Sequence, residues 1–307
     1  MLYVAAAFTA FIVGFAMKRG GLCTYAAAVQ IVQQRTGERM FAFLGAAACA
    51  TIIIVPLSWW APHLVALSFT HSNFTISIWG GLILGLGAYL NKGCMFGTFV
   101  QLVGGNSTYV ATLIGMSIGV VITYQNFDTY IPPSQNVTHA AQPEPGAYLW
   151  LLIASLFALL IVFKVRQKPA IFIMLILGIG GGLLSTTINS WDYASVLTQV
   201  THKIILPQAP GTTNVAIVCA LTMIVGGVYA AISEGSFKFQ TPGLLSFTAS
   251  LAGGTLMGAA AIIVPGGNDG MLLKGIPSFA PHAIVGYLFM IVAMLVLIAI
   301  FRNKAVD

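Results

Sequence analysis

Apolar residues run through most of the chain in long blocks, separated by short polar or glycine-rich punctuation. Read block by block, they predict nine membrane crossings, at approximately 1–17, 40–60, 76–90, 108–124, 147–164, 170–184, 212–232, 244–263 and 279–301. Four shorter segments, 22–34, 93–103, 190–200 and 268–276, lie between them. Several crossings are shorter than the ~20 residues a helix needs to span the hydrocarbon core. Those require local thinning or packing behind other helices. One stretch departs most from a plain lipid-facing helix, residues 80–106, GGLILGLGAYLNKGCMFGTFVQLVGGN. Its apolar helix breaks at Asn91-Lys92-Gly93-Cys94, resumes for about half the length, and closes on Gly104-Gly105-Asn106. Backbone leaves helical form at membrane depth only where protein or a water-filled cavity receives its polar groups. The break therefore predicts the lining of a path across the membrane.

The pattern repeats. Gly80-Gly81, Gly85, Ala88 and Gly93 align with Gly253-Gly254, Gly258, Ala261 and Gly266, and after a one-residue insertion Cys94 falls opposite Asn268. A weaker match sets Gly14, Tyr25 and Ala26 against Gly182, Tyr193 and Ala194, which places Cys23 opposite Trp191. Five crossings precede the second copy, so it enters the membrane in the opposite sense. The expected fold is an all-α integral membrane protein in an inverted pseudo-twofold repeat. Residues 1–146 form the first repeat, 147–168 a connecting helix and inner loop, and 169–307 the second repeat. Inverted repeats with broken helices are a transporter design, with substrate held between the halves. Close packing of helices on small residues is the alternative source of such glycine spacing.

Composition narrows the class. The 307 residues are 58% hydrophobic and 7% charged, with a mean hydropathy of +0.93, whereas soluble domains carry roughly 25% charged residues. A soluble protein is excluded, and the unbroken apolar runs argue against a β-barrel. The net charge of +6 reads as a topology signal rather than as nucleic-acid binding, since basic residues mark cytoplasmic loops. With the N-terminus outside, Lys18, Arg19, Arg35, Arg39, Lys92, Lys164, Arg166, Lys168, Lys238, Arg302 and Lys304 all fall inside, leaving Lys203 and Lys274 outside. The expected topology is N-out and C-in, and no signal peptide is expected. Four single cysteines, Cys23, Cys49, Cys94 and Cys219, form no paired spacing for zinc or for a disulfide framework. Five scattered histidines make no metal site, no P-loop is present, and no cofactor is expected.

Three motifs carry a resemblance. Lys18-Arg19-Gly20-Gly21-Leu22-Cys23, Gly93-Cys94 followed by Gly104-Gly105-Asn106, and Gly266-Gly267-Asn268-Asp269-Gly270 resemble the YeeE/YedE sulfur-transport family in order and spacing over nearly the whole chain. The resemblance implies uptake of thiosulfate or a related small sulfur-containing anion into the cytoplasm of a bacterium, across the inner membrane. It implies single cysteines along a narrow central path, a role that falls on Cys23 and Cys94. A third family cysteine belongs in the last short segment, where this chain has Gly267-Asn268. The resemblance further implies a small cytoplasmic sulfur-carrier protein as partner.

The chemistry of those residues can be read beside the resemblance. The first amides of a short helix are unpaired, and its dipole favours an anion there. Glycines at Gly93 and Gly267 let a substrate approach the backbone. A thiol is a weak donor and a soft, polarisable group suited to a sulfur-bearing anion, while Asn268 offers a neutral N–H. Lys92, directly before Gly93-Cys94, either attracts the anion at the inner mouth or is an ordinary inside-positive residue. Asp192 and Asp269, beside the second-half breaks, read either as helix N-caps or as a coupling site for protons or cations. Cys49 and Cys219, inside uninterrupted helices, read as small buried hydrophobes. The competing functions are transport of a different ion or a selenium species, and a membrane sulfurtransferase using Cys94. The latter lacks a neighbouring histidine or carboxylate placed to activate the thiol.

Overall fold

A computed structural model of the chain describes residues 2–70, 74–127, 135–137, 142–164, 168–188, 190–208 and 211–301. Its helices are α1 (Leu2–Gly20), α2 (Thr24–Gln34), α3 (Glu38–Trp60), α4 (Phe74–Leu90), α5 (Met95–Val103), α6 (Thr108–Phe127), α7 (Pro145–Lys164), α8 (Lys168–Ile176), α9 (Gly182–Thr187), α10 (Tyr193–Ile205), α11 (Asn214–Ser233), α12 (Leu244–Ile263), α13 (Gly267–Gly270) and α14 (Pro281–Ile300). Two strands, β1 (Phe69–Thr70) and β2 (Gln135–Val137), pair antiparallel and tie together the loops that follow α3 and α6. Eight helical stretches among the described residues are long and apolar enough to cross a membrane, and Ile171–Thr187 is a shorter apolar helix. The protein is a multi-pass, all-helical membrane protein.

All four short segments are distinct helices that start at the expected breaks, with ends shifted by a few residues. Two details differ from the sequence reading. The crossing expected at 170–184 is not one regular helix: a π turn at Leu177–Gly181 joins α8 to α9. The last short segment is a single turn, α13, continued by a second π turn at Met271–Gly275. The first irregularity falls where a glycine, Gly178, lies directly against the Ala46 carbonyl of α3.

The two halves exchange partners as a twofold requires. The pairing of α4 with α14 mirrors that of α12 with α6, α1 with α11 mirrors α8–α9 with α3, and α2 with α14 mirrors α10 with α6. Glycines set these contacts. Gly81 and Gly85 lie against the backbones of Gly286 and Met290, and their counterparts Gly254 and Gly258 lie against those of Thr112 and Met116. A methyl group at any of these four would overlap a carbonyl oxygen or its neighbours, so the spacing is a packing requirement as well as a mark of the repeat. The repeat is inverted because α4 meets its own counterpart α12 antiparallel: Gly80 approaches Val264 and Gly87 approaches Gly253.

Contacts at the helix ends define one face of the protein. Arg19 pairs with Glu234 at 3.1 Å, Lys18 Nζ donates to the Val100 carbonyl at 3.3 Å, and Ser107 N donates to the Gln240 carbonyl at 3.2 Å. The ends of α1, α5 and α11 and the starts of α6 and α12 therefore share this face, here termed the basic face. The ends of α6 and α12 lie at the opposite, far face.

Candidate functional site

Two broken helices meet in the interior. Cys23 is the residue before α2 and Cys94 the residue before α5, both in extended backbone conformation. Both thiols are free and buried, Cys94 with only 1% of its surface exposed. Their sulfurs lie 3.9 Å apart. The Thr24 amide, the first of α2, donates to Cys94 Sγ at 3.2 Å, so the start of one helix holds the thiol that begins the other. This is an electropositive constriction built from two helix N-termini and two soft sulfur atoms.

The local sequence explains why the cysteines meet. Gly97 stands one turn into α5, and a methyl group there would overlap Cys23 Sγ. Only a glycine lets the Cys23 thiol rest on the first turn of α5. Asn91 fixes the loop leading to Cys94: its side-chain nitrogen donates to the Gly93 carbonyl and to Thr98 Oγ1, each at 2.9 Å. Its oxygen accepts from Thr112 Oγ1 at 2.7 Å. Buried polar groups satisfied on every side define one conformation.

The second half completes the constriction. Asn268, fully buried, accepts from the Met95 amide at 3.2 Å through Oδ1. Its side-chain nitrogen has no hydrogen-bond partner. Gly267, with φ of +57°, lies against the Met95 side chain, and the Tyr193 hydroxyl donates to the Met95 carbonyl. Asn268 thus contacts the residue that follows Cys94, its counterpart in the alignment of the halves. Its orphan N–H₂ is a buried donor with nothing to bind.

The other candidates divide. Gly93 is buried and packs beside Tyr109. Lys92 occupies a left-handed turn position, φ +52°, and its side chain is exposed, lining neither of the cavities described next. Asp192 caps α10, its Oδ1 accepting from the amides of Ala194 and Ser195, as expected. Asp269 is not a cap; it lies within the α13 turn, buried, with Oδ1 unpartnered. Cys49 and Cys219 are buried in α3 and α11, as expected of core residues. Among the described residues no cluster of three metal-ligating side chains occurs. Sequence reasoning missed Gly97, Thr24, Met95 and Tyr193; the Cys94-x-x-Gly97 spacing was the one available signal.

Two cavities approach the constriction. One, of about 300 Å³, opens toward the basic face and is lined by Gly20, Gly21, Cys23, Gln30, Gln34 and Arg39, among others. The other, of about 280 Å³, lies toward the far face and is lined by Met95, Gly266, Asp269, Ser190, Gln199 and Tyr124, among others. Cys23 borders the first and Met95 the second, and Cys94, beside Cys23 and bonded in sequence to Met95, links the two.

A family model described as sulphur transport matches residues 19–176 and, in a second match, residues 168–296. No individually curated protein matches the chain. The two matches overlap across α8 (residues 168–176), fit a repeat, and between them take in Cys23, Cys94 and Asn268. The chain belongs to the sulphur transport (YeeE/YedE) family and is a sulphur-related membrane transporter.

Proposed function

We propose that the protein carries thiosulfate, or a closely related small sulfur-containing anion, into the cytoplasm through the Cys23–Cys94 constriction, with Asn268 as a third contact. The observation that carries this reading is the pair of buried free thiols 3.9 Å apart at the meeting of two helix N-termini. An anion crossing a low-dielectric region must exchange its hydration for donors fixed in place. The path offers a thiol S–H, the unpartnered Asn268 nitrogen and the positive ends of the α2 and α5 dipoles. A terminal sulfur with diffuse charge is a weak hydrogen-bond acceptor, matched to a weak S–H donor. Here Asn268 takes the place of a third thiol and supplies a neutral N–H suited to the oxygen end of the anion.

With the basic face cytoplasmic, the N-terminus is outside and the far-face cavity is the entry. Gln30, Gln34 and Arg39 of the basic-face cavity then receive the anion, from which a cytoplasmic sulfur-carrier protein would withdraw it. Uptake of labelled thiosulfate into proteoliposomes, with sulfate as competitor, tests the reading. Wild type takes up thiosulfate and ignores sulfate, while Cys94→Ala and Cys23→Ala lose uptake though folded. Uptake by the two variants at the wild-type rate would sink the thiol path, and a wild type that moves other anions but not thiosulfate would sink the substrate.

A further inference from the structure

Asp192 and Asp269 come from different elements of the second half, yet they border the same small cavity of about 10 Å³, with Tyr193 and Gly270. That volume is at the limit for one water molecule. Both residues are buried, Asp269 with 6% and Asp192 with 8% of its surface exposed. Asp192 uses one oxygen to cap α10. Asp269 Oδ1 has no partner, and Asp269 also lines the far-face cavity of about 280 Å³.

We propose that Asp192 and Asp269 form a proton-binding site, filled from the far-face cavity, that couples each anion crossing to the entry of a proton. This inference rests on the anion-transport reading above and names its driving ion. Two buried carboxyl groups bordering one water-sized cavity repel each other's charge, and sharing a proton relieves that repulsion. With one shared proton the pair keeps a negative charge one residue from Asn268, and a dianion at Asn268 is repelled. A second proton removes that charge, so proton and anion each favour the binding of the other, as linkage requires. No bond is made or broken; one proton and one anion cross together.

The structure also supplies a mechanical link. The residue after Asp192 is Tyr193, whose hydroxyl donates to the Met95 carbonyl. The residue before Asp269 is Asn268, whose oxygen accepts from the Met95 amide. Met95 is therefore clamped from both sides by the neighbours of the two aspartates, and Met95 directly follows Cys94. Closing or opening the carboxyl pair shifts that clamp. Other titratable groups lie nearby: Tyr193 lies between the aspartates and the two cysteines, Lys274 follows on the same segment, and His282 and Tyr287 are buried on α14. Single substitutions of the aspartates therefore test the site more cleanly than a pH profile.

The experiment uses proteoliposomes with the membrane potential clamped at zero and an imposed pH gradient, acid outside, measuring labelled thiosulfate accumulation and, separately, thiosulfate exchange at equal pH. Wild type is expected to accumulate roughly tenfold per pH unit for one coupled proton, each unit being about 1.36 kcal/mol. Asp269→Asn is expected to exchange thiosulfate without responding to the gradient. Asp192→Asn, which keeps the α10 cap, is expected to lose the response too. Wild-type exchange with accumulation indifferent to the pH gradient, or driven by a sodium gradient instead, would overturn the proton site and leave the transport reading intact. Absence of thiosulfate exchange in wild type would take down both.

Discussion

Replacing Gly97 with alanine tests whether the two cysteines are held together as the structure shows. The added methyl would overlap Cys23 Sγ, and since carbon and its neighbours pack at about 3.5–4.0 Å, the thiol must move by roughly 1 Å or more. Overpacking of this kind costs about 1–3 kcal/mol, while replacing a helical glycine by alanine recovers up to about 1 kcal/mol. The net loss of stability is therefore about 0–3 kcal/mol, and the protein is expected to stay folded. The effect on transport is larger, because the sulfur displaced is half of the constriction. Uptake should fall about tenfold or more, the equivalent of a barrier raised by ~1.4 kcal/mol. Thermal unfolding in detergent and initial uptake rates in proteoliposomes separate the two effects. Gly146→Ala, at a position where a methyl meets open space, is the control and changes neither. A folded G97A protein with wild-type uptake would show that Cys23 need not rest on α5, and the geometric argument for the path would be wrong.

Asn91→Leu leaves the Gly93 carbonyl, Thr98 and Thr112 without their buried partner and should destabilise the fold by about 2–4 kcal/mol, read as a lowered unfolding temperature. Asn268→Leu strands the Met95 amide, a loss of about 1–3 kcal/mol, and abolishes uptake. Asn268→Asp keeps the acceptor for Met95 but removes the N–H donor and buries a carboxyl in its place, so it should be less stable than wild type and fail in the same uptake assay. Cys49→Ala and Cys219→Ala, at core positions away from the constriction, should cost about 1 kcal/mol each and preserve uptake. Lys92→Gln, at an exposed turn, should leave uptake unchanged.

The fold was legible because bilayer solvation punishes every unpaired backbone group, so breaks in apolar runs can be placed from sequence. The glycines at 81, 85, 254 and 258 showed the repeat, and the structure gives their reason in backbone contacts with Gly286, Met290, Thr112 and Met116. Cys23, Cys94 and Asn268 stood out as polar or reactive residues beside glycine-rich breaks, and the structure brings all three to Met95 or to each other. What could not be read was distance between segments far apart in the chain. Gly97 looked like one more small residue until Cys23 was placed on it, 74 positions away in sequence. Asp269 looked like the cap that Asp192 is, because a π turn gives no periodicity to distinguish the two. Lys92 is next to Gly93-Cys94 in sequence, but the left-handed turn at its own position leaves its side chain exposed while both neighbours are buried.

The central claim, that substrate passes between Cys23 and Cys94, is tested most directly by bridging the two thiols with a trivalent arsenical in reconstituted protein. Labelled thiosulfate uptake is measured before bridging, after it, and after release with excess dithiol. A sulfur pair 3.9 Å apart presents a vicinal dithiol, so mass spectrometry should find one arsenical joining Cys23 to Cys94. Uptake should stop and then return with the dithiol, and excess thiosulfate present during bridging should slow the reaction. Bridged protein that transports thiosulfate at the unmodified rate would contradict the account.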